Sequence, residues 1–434
     1  MKVTGRGDAM DRYLITGGQP LKGKVRAGGN KNAALPCIAA ALLTGEPVEL
    51  HRIPDIQDVS VMLDIARDLG AAITRPAPGI AVITPKILSR DIPGHLAQAI
   101  RASILFSAPV LVAHGRIILP PPGGDVIGHR RLDTHFQVYH AFGGRAEIGD
   151  DGNISITLPK LLPADLLLDE SSVTATENAL MLAAACRGTS VISNAAAEPH
   201  VQDLCRMLVL MGARIEGIGS NLLTVTGSSE LGGCSYTIGV DYMEVGSYIG
   251  LAAAVGGNIT IQGVEKQHLR IIQGGCRKLG IPWSLAGDEL TISDGGSRDI
   301  PPGVGGHIPK IDDAPWPGFP TDLLSIMTVT ATQYRGTVLI HEKMFESRLF
   351  YLDTLIKMGA RIIICDPHRA VVTGPSRLHG QVMASPDVRA GMALMIAALC
   401  AEGESEIQNI YQIERGYEQI FEKLQSLGAH IRRG

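Results

Sequence analysis

The sequence predicts an α/β protein of six repeated units, grouped as two domains of three. Three observations carry this. A phrase recurs six times: a Gly, a short β-like apolar stretch, then some two dozen residues later an apolar residue, Gly and usually Ala. Its copies run from Gly45 to Gly70, Gly115 to Gly143, Gly188 to Gly212, Gly257 to Gly280, Gly336 to Gly359 and Gly403 to Gly428. The starting glycines recur about every 70 residues, room for one helix–strand–helix–strand–strand unit. The chain has 434 residues, enough for about two or three domains. A solenoid is the simplest reading of any repeat, but six units of this size divide naturally into two compact groups of three.

Each element has a local reason. An apolar helix precedes the first Gly of a copy, as over 32–43, 179–186 and 390–401, and that Gly supplies the left-handed residue that stops it. Short strands follow over 48–50, 117–119, 191–192, 259–261, 338–340 and 406–407. After a loop comes an amphipathic helix; in the first copy Val59, Met62, Leu63, Ala66 and Leu69 fall at helical spacing. The apolar-Gly turn ends it, and a hairpin follows, with strands over 72–73 and 80–83 in the first copy. Much of the complement of 51 Gly residues is therefore a set of helix stops, not a phosphate cradle.

Composition excludes several classes. Net charge is −4, which argues against a protein built to coat nucleic acid. With 45% apolar and only 19% charged residues, disorder is not expected. No apolar run approaches the roughly 18 to 20 residues of a membrane span, and residues 1–12 contain no apolar signal segment, with Met10 an alternative start. The seven Cys are scattered, odd in number and without a Cys-x-x-Cys pair, which predicts reduced thiols in a cytoplasmic protein, with no zinc site.

The unusual polar residues fall at two equivalent places in the repeats. At the N-terminal end of the first helix are Asn30, Lys31 and Asn32, Arg101, the segment 171–176, Asp241 with Glu244, Asp322, and Asp387 with Arg389. In the loop after the first strand are residues 123–133, Glu198, Glu265, Glu346 with Arg348, and Arg415. Helix N-termini favour anions. By pseudo-symmetry, Lys31, Arg101, Arg130, Arg348, Arg389 and Arg415 are expected to converge on one cleft for a substrate with phosphate and carboxylate groups, which Arg grips bidentately. Asp125 and Asp322 are candidate acid–base groups.

The stretches Gly29-Asn-Lys-Asn-Ala-Ala-Leu-Pro36, Arg101-Ala-Ser103, Pro122-Gly-Gly-Asp-Val-Ile-Gly-His-Arg130, Ser172-Val-Thr-Ala-Thr-Glu-Asn178, Phe319-Pro-Thr-Asp322, Phe345-Glu-Ser-Arg348 and Arg415-Gly-Tyr417 resemble the enolpyruvyl transferase superfamily, in its UDP-N-acetylglucosamine branch, over essentially residues 12–434. The resemblance implies an inside-out α/β barrel. One domain spans 31–239 with a mobile lid over 120–131, and the other takes 12–30 plus 240–434. It implies transfer of the enolpyruvyl group of phosphoenolpyruvate to the 3′-hydroxyl of UDP-N-acetylglucosamine, releasing phosphate, as the first committed step of peptidoglycan synthesis, without metal or other cofactor. Carried over by position, Asp125, Asp322, Lys31 and Arg415 are catalytic. Lys31, Arg130 and Arg415 grip phosphate, Arg348 and Arg389 hold the carboxylate of phosphoenolpyruvate, and Asp322 accepts the hydroxyl proton. Asn32 lies in both substrate sites. Arg101, Arg130, Asp133, Ser172, Val173, Asp322 and Met344 belong to the UDP-sugar site. Phosphoenolpyruvate and UDP-N-acetylglucosamine are then the partners, with no nucleic acid and no membrane.

The chain departs from the family pattern at several positions. Asp125 stands where Cys is usual, which keeps a proton donor but removes the sulfur that fosfomycin alkylates. Thr174 stands for a usual Gly, Glu170 for a frequent Lys, Tyr242 and Ala197 for usual Arg, and one residue is inserted near Pro386. Thr174 adds bulk, and Glu170 negative charge, near the expected diphosphate. These departures keep open a different acceptor, such as UMP in nucleoside antibiotic synthesis or, less in keeping with the pattern, shikimate 3-phosphate. A noncatalytic sugar-nucleotide sensor is a third reading, opposed by the retained proton-transfer groups.

Overall fold

The structure is a computed structural model that describes residues 12–434 apart from 87–88, 125–127, 129–130 and 294–295. Its repeat is clearest over Asp165–Gly227. Strand Asp165–Leu167 leads into the apolar helix Val173–Ala185, then strand Gly188–Ser193, the amphipathic helix Pro199–Leu210 and the hairpin Arg214–Glu216 with Leu222–Gly227. Gly188–Ser193 pairs parallel with Asp165–Leu167 on one side and antiparallel with Leu222–Gly227 on the other. The parallel strand ahead of the first helix is absent from the sequence reading. At three residues it is too short to show an alternating pattern.

Among the described residues the strands form six separate open sheets. Five have four strands; the sixth has three, with Asp91 bridging Ile118 where a fourth strand stands elsewhere. The chain divides into two compact units with three sheets each. Among the described residues, the first comprises 29–124 and 131–239, the second 12–28, 128 and 240–434. The crossing between Gly28 and Gly29 precedes the boundary read from sequence, which lay after residue 30.

Both crossings exchange a strand. Leu21–Arg26 precedes the helix Lys31–Ala40 of the first unit but pairs in parallel with Gly257–Gln262 of the second. Ser235–Thr237 precedes the helix Tyr242–Val255 of the second unit but pairs in parallel with Val48–His51 of the first. Gly257 is required at its crossing: φ is +110°, and a Cβ there would lie 1.9 Å from the Leu21 carbonyl oxygen. The last sheet is closed by the N-terminal strand Arg12–Thr16, which pairs with Glu404–Gln408 and His430–Arg433.

Each unit buries its apolar helices and turns its sheets outward. In the second unit Tyr242–Val255, Leu324–Ala331 and Val388–Cys400 pack on one another, with nearly every residue buried. A helix apolar all round is stable only where it is covered all round. Sheet residues such as Ile118 and Ile363 face outward and are exposed. The glycines at the end of each phrase, 70 through 428, all have positive φ, as the helix-stop reading requires. Of the starting glycines only Gly115 is the left-handed residue that ends its helix; the first apolar helix ends in a short 3₁₀ turn over Ala41–Leu43, the others end at Cys186, Gly256, Thr332 and Ala401, and Gly188, Gly257 and Gly336 instead open the strand that follows. Among the described residues no helix is long and apolar enough to cross a membrane.

Candidate functional site

In the second unit, three of the expected residues form one centre. Asp322 lies in the 3₁₀ turn Thr321–Leu323 that opens the buried helix Leu324–Ala331. Arg389 lies in the first turn of Val388–Cys400, whose start is fixed by the Asp387 carboxylate accepting from the Arg389 and Ala390 amides at 2.8 and 2.9 Å. Arg348 lies in the loop after strand Gly336–His341. Arg348 Nη2 donates to Asp322 Oδ1 at 2.7 Å, and Arg389 Nε to Oδ2 at 3.0 Å.

Burial pushes the Asp322 carboxyl up, but the two guanidinium groups outweigh it and hold the carboxyl well below the usual carboxylate range. Arg389 is 4% exposed and stacks over the Tyr417 ring at 5.0 Å; Arg348 lies over Phe345 at 5.4 Å. Arg348 Nε and Arg389 Nη1 are buried donors with no acceptor among the described residues. Buried guanidinium donors are costly when unsatisfied and suit a carboxylate ligand. Met344 lies in the loop leading to Arg348 and is exposed. Arg415 follows the short helix Tyr411–Glu414 and donates to Gln412 at 3.3 Å.

In the first unit, Asn30 caps Lys31–Ala40, its side chain accepting from the Ala33 amide at 3.2 Å, and so places Lys31 and Asn32 in the first turn. Lys31 Nζ pairs with Asp58 at 2.5 Å. Arg101 donates to the Arg131 carbonyl at 3.1 Å, and Arg131 forms a bidentate pair with Asp133 at 2.7 and 3.2 Å. Ser172 and Val173 begin the helix Val173–Ala185, where backbone amides are free of helical partners. Asp125 and Arg130 lie outside the described residues.

The departures acquire partners. Asn178 Nδ2 donates to His135 Nδ1 at 3.1 Å, leaving His135 Nε2 to donate to Thr174 Oγ1 at 3.0 Å. Burial, aided by the Arg101 charge, pulls His135 down to about 3, so it is neutral. The Glu170 carboxylate accepts from Thr134 at 3.3 Å. Tyr242 is buried beside His268 and Trp316, a core position, and Ala197 is likewise buried. Sequence reasoning missed Asp58 and His135, and named Tyr417 only within the stretch 415–417, with no role. All three are defined by contacts distant in sequence; the visible signals were the acid at the start of the helix Gln57–Asp68 and the 415–417 stretch.

Comparisons with known proteins agree with one another. A family model described as EPSP synthase (3-phosphoshikimate 1-carboxyvinyltransferase) matches residues 15–424. The chain is 56% identical over 423 residues to a UDP-N-acetylglucosamine 1-carboxyvinyltransferase of Treponema denticola, covering 97% of this chain and 99% of that one. It is 50% identical to one of Bradyrhizobium diazoefficiens, covering 97% and 98%. Among solved structures it is similar to the enolpyruvyl transferase NikO from Streptomyces tendae, with a TM-score of 0.86 at 24% identity, covering 97% of this chain and 98% of that one. An EPSP synthase from Acinetobacter baumannii matches with a TM-score of 0.75 at 16% identity, covering 98% and 100%. At these identities the solved structures speak to the fold, which they share.

Proposed function

The chain belongs to the family of UDP-N-acetylglucosamine 1-carboxyvinyltransferases, within the EPSP synthase-like enolpyruvyl transferases, and on that premise we propose that it transfers the enolpyruvyl group of phosphoenolpyruvate to the 3′-hydroxyl of UDP-N-acetylglucosamine and releases phosphate. This is the first committed step of peptidoglycan synthesis. The observation that carries the reading is the Asp322 carboxylate held between Arg348 and Arg389, each with a further buried donor that lacks an acceptor.

The reaction runs by addition and then elimination. The sugar hydroxyl oxygen bonds to C2 of phosphoenolpyruvate, its proton passes to Asp322, and C3 takes a proton from Asp125. The tetrahedral ketal then loses a proton from C3 as phosphate departs. Gripped by two arginines, Asp322 is a weak base. A substrate carboxylate reaching Arg348 and Arg389 competes for the same donors, weakens their hold on Asp322 and raises its affinity for the proton. Lys31, Arg130 and Arg415 take the phosphate. Asn32, Arg101, Asp133, Ser172, Val173 and Met344 serve the UDP-sugar side. All seven cysteines are free thiols, which supports a reducing, cytoplasmic setting.

The test is phosphate release on mixing the protein with phosphoenolpyruvate and each acceptor in turn. Release is expected with UDP-N-acetylglucosamine. Release with UMP or shikimate 3-phosphate and none with the UDP-sugar overturns the acceptor; no release with any of them overturns the activity.

A further inference from the structure

A second pair of carboxyls sits behind the Asp322 centre and takes no part in the chemistry above. Asp313 is 0% exposed and Glu342 1% exposed. Asp313 follows the strand Lys310–Asp312; its amide donates to the His341 carbonyl at 3.3 Å, so its backbone is fixed against the strand that ends beside Glu342. Both carboxyls accept from the same stretch of chain, residues 343–345, and so are neighbours in one buried site. Two ionised carboxylates offer only acceptors and repel one another, so burial of the two as neighbours favours a proton on one of them. Asp313 Oδ2 is buried with no hydrogen-bond partner among the described residues, which leaves an acceptor for a carboxyl proton.

The pair holds the loop that carries Arg348. Asp313 Oδ1 accepts from the Lys343 amide at 2.5 Å. Glu342 Oε1 accepts from the Met344 and Phe345 amides at 3.1 and 3.0 Å. Glu342 Oε2 accepts from the Thr321 hydroxyl at 2.8 Å, and Thr321 adjoins Asp322. Three consecutive amides ahead of Arg348 and the residue ahead of Asp322 thus depend on two side chains. Glu342 and Arg348 line one small cleft together with Thr321 and Asp387.

We propose that Asp313 and Glu342 are positioning residues that share one proton and, while they share it, hold Arg348 and Asp322 in register for the reaction. The inference rests on the function proposed above. Loss of the proton sets two buried negative charges against each other and loosens both anchors. The charged and titratable groups facing the pair are Arg348, Asp322 and Asp387 on the centre's side, Lys343 with Asp312 at the strand end, Tyr351 below, and His368, whose Nδ1 contacts the Glu342 carbonyl oxygen at 2.8 Å. Burial and then the Asp313 carboxylate push Glu342 up to about 8, with Arg348 opposing. The raised acid keeps its proton through neutrality and releases it as pH rises through that value.

The experiment is the pH profile of kcat/KM for phosphoenolpyruvate, read by phosphate release between pH 6 and 10, in the wild type and in Asp313→Asn. An asparagine amide donates to Glu342 without titrating. At pH 7 the variant is expected within about threefold of wild type, and its alkaline decline displaced upward by about one pH unit or more, with KM for the UDP-sugar unchanged. Superimposable profiles overturn the proposal, as does a uniform loss of activity with the wild-type pH dependence, which marks a merely structural role. Titration of the substrate itself is common to both proteins and cancels. If Asp313→Asn does not fold, Glu342→Gln, whose amide donates to Asp313, is read in the same way. Absence of wild-type turnover at pH 7 is instead a failure of the proposed function.

Discussion

Arg348 and Arg389 reach Asp322 from separate elements and take one carboxylate oxygen each, at 2.7 and 3.0 Å. Two cations on one carboxylate leave a net positive centre, which suits a second anion better than it suits a base acting alone. Asp322→Asn preserves shape and hydrogen bonding but cannot take the hydroxyl proton. Its kcat is expected to fall by about 10² to 10⁴-fold, with the thermal midpoint little changed. Wild-type kcat in this variant removes Asp322 from proton transfer.

The acceptor question turns on Thr174. Its hydroxyl is engaged by His135, on the neighbouring helix Asp133–Ala141. Removing it with Thr174→Gly is therefore expected to leave KM for UDP-N-acetylglucosamine within about threefold; a tenfold fall would mean that Thr174 obstructs the nucleotide.

His135 also gives this region a pH dependence. Its folded value is depressed to about 3 from the ordinary 6.5. Between those values the unfolded chain binds the extra proton, so stability falls as pH falls, by up to about 1.4 kcal/mol per unit. His135→Gln is expected to flatten that slope in denaturant titrations at pH 6.5, 5.5 and 4.5. An unchanged slope removes His135 as its source.

Asp58 and Lys31 form a nearly buried pair, with side chains 5% and 11% exposed. Breaking such a pair from one side leaves a charge without its counterion in poor solvent, at a cost of about 3 kcal/mol. Asp58→Ala should lower stability by that order in a urea titration. Lys31→Ala should abolish phosphate release, through loss of the phosphate-gripping charge. Normal turnover in Lys31→Ala takes that residue out of the site.

How much of this was legible in the sequence depended on range. The six repeats could be read because each glycine stop and each 3.6-residue apolar pattern is encoded within a few turns of chain. The exchanged strands Leu21–Arg26 and Ser235–Thr237 could not, since what defines them is pairing with residues about 200 positions away. Arg348, Arg389 and Asp322 stood out as charges at matching places in successive repeats. Their meeting on one carboxylate, and Asp313 meeting Glu342, depend on how three loops fold against buried helices. A Thr in place of Gly read locally as obstruction; His135, a helix away, gives its hydroxyl another partner.

Asp125 supports a prediction from chemistry alone, since it lies outside the described residues. A carboxylic acid can protonate the methylene carbon of phosphoenolpyruvate, so turnover does not require sulfur there. Fosfomycin acts by alkylating a thiolate, a far better nucleophile toward an epoxide than a carboxylate. The wild-type protein is expected to keep full activity after prolonged incubation with the drug and to show no mass increase. Asp125→Cys is expected to retain turnover and to lose it with time in the drug, gaining one drug adduct on the new cysteine. The free thiols elsewhere supply an internal control, because burial pushes Cys37, Cys205, Cys276 and Cys400 upward and keeps them protonated. Time-dependent inactivation of the wild type, with a drug adduct on the protein, would overturn the predicted insensitivity.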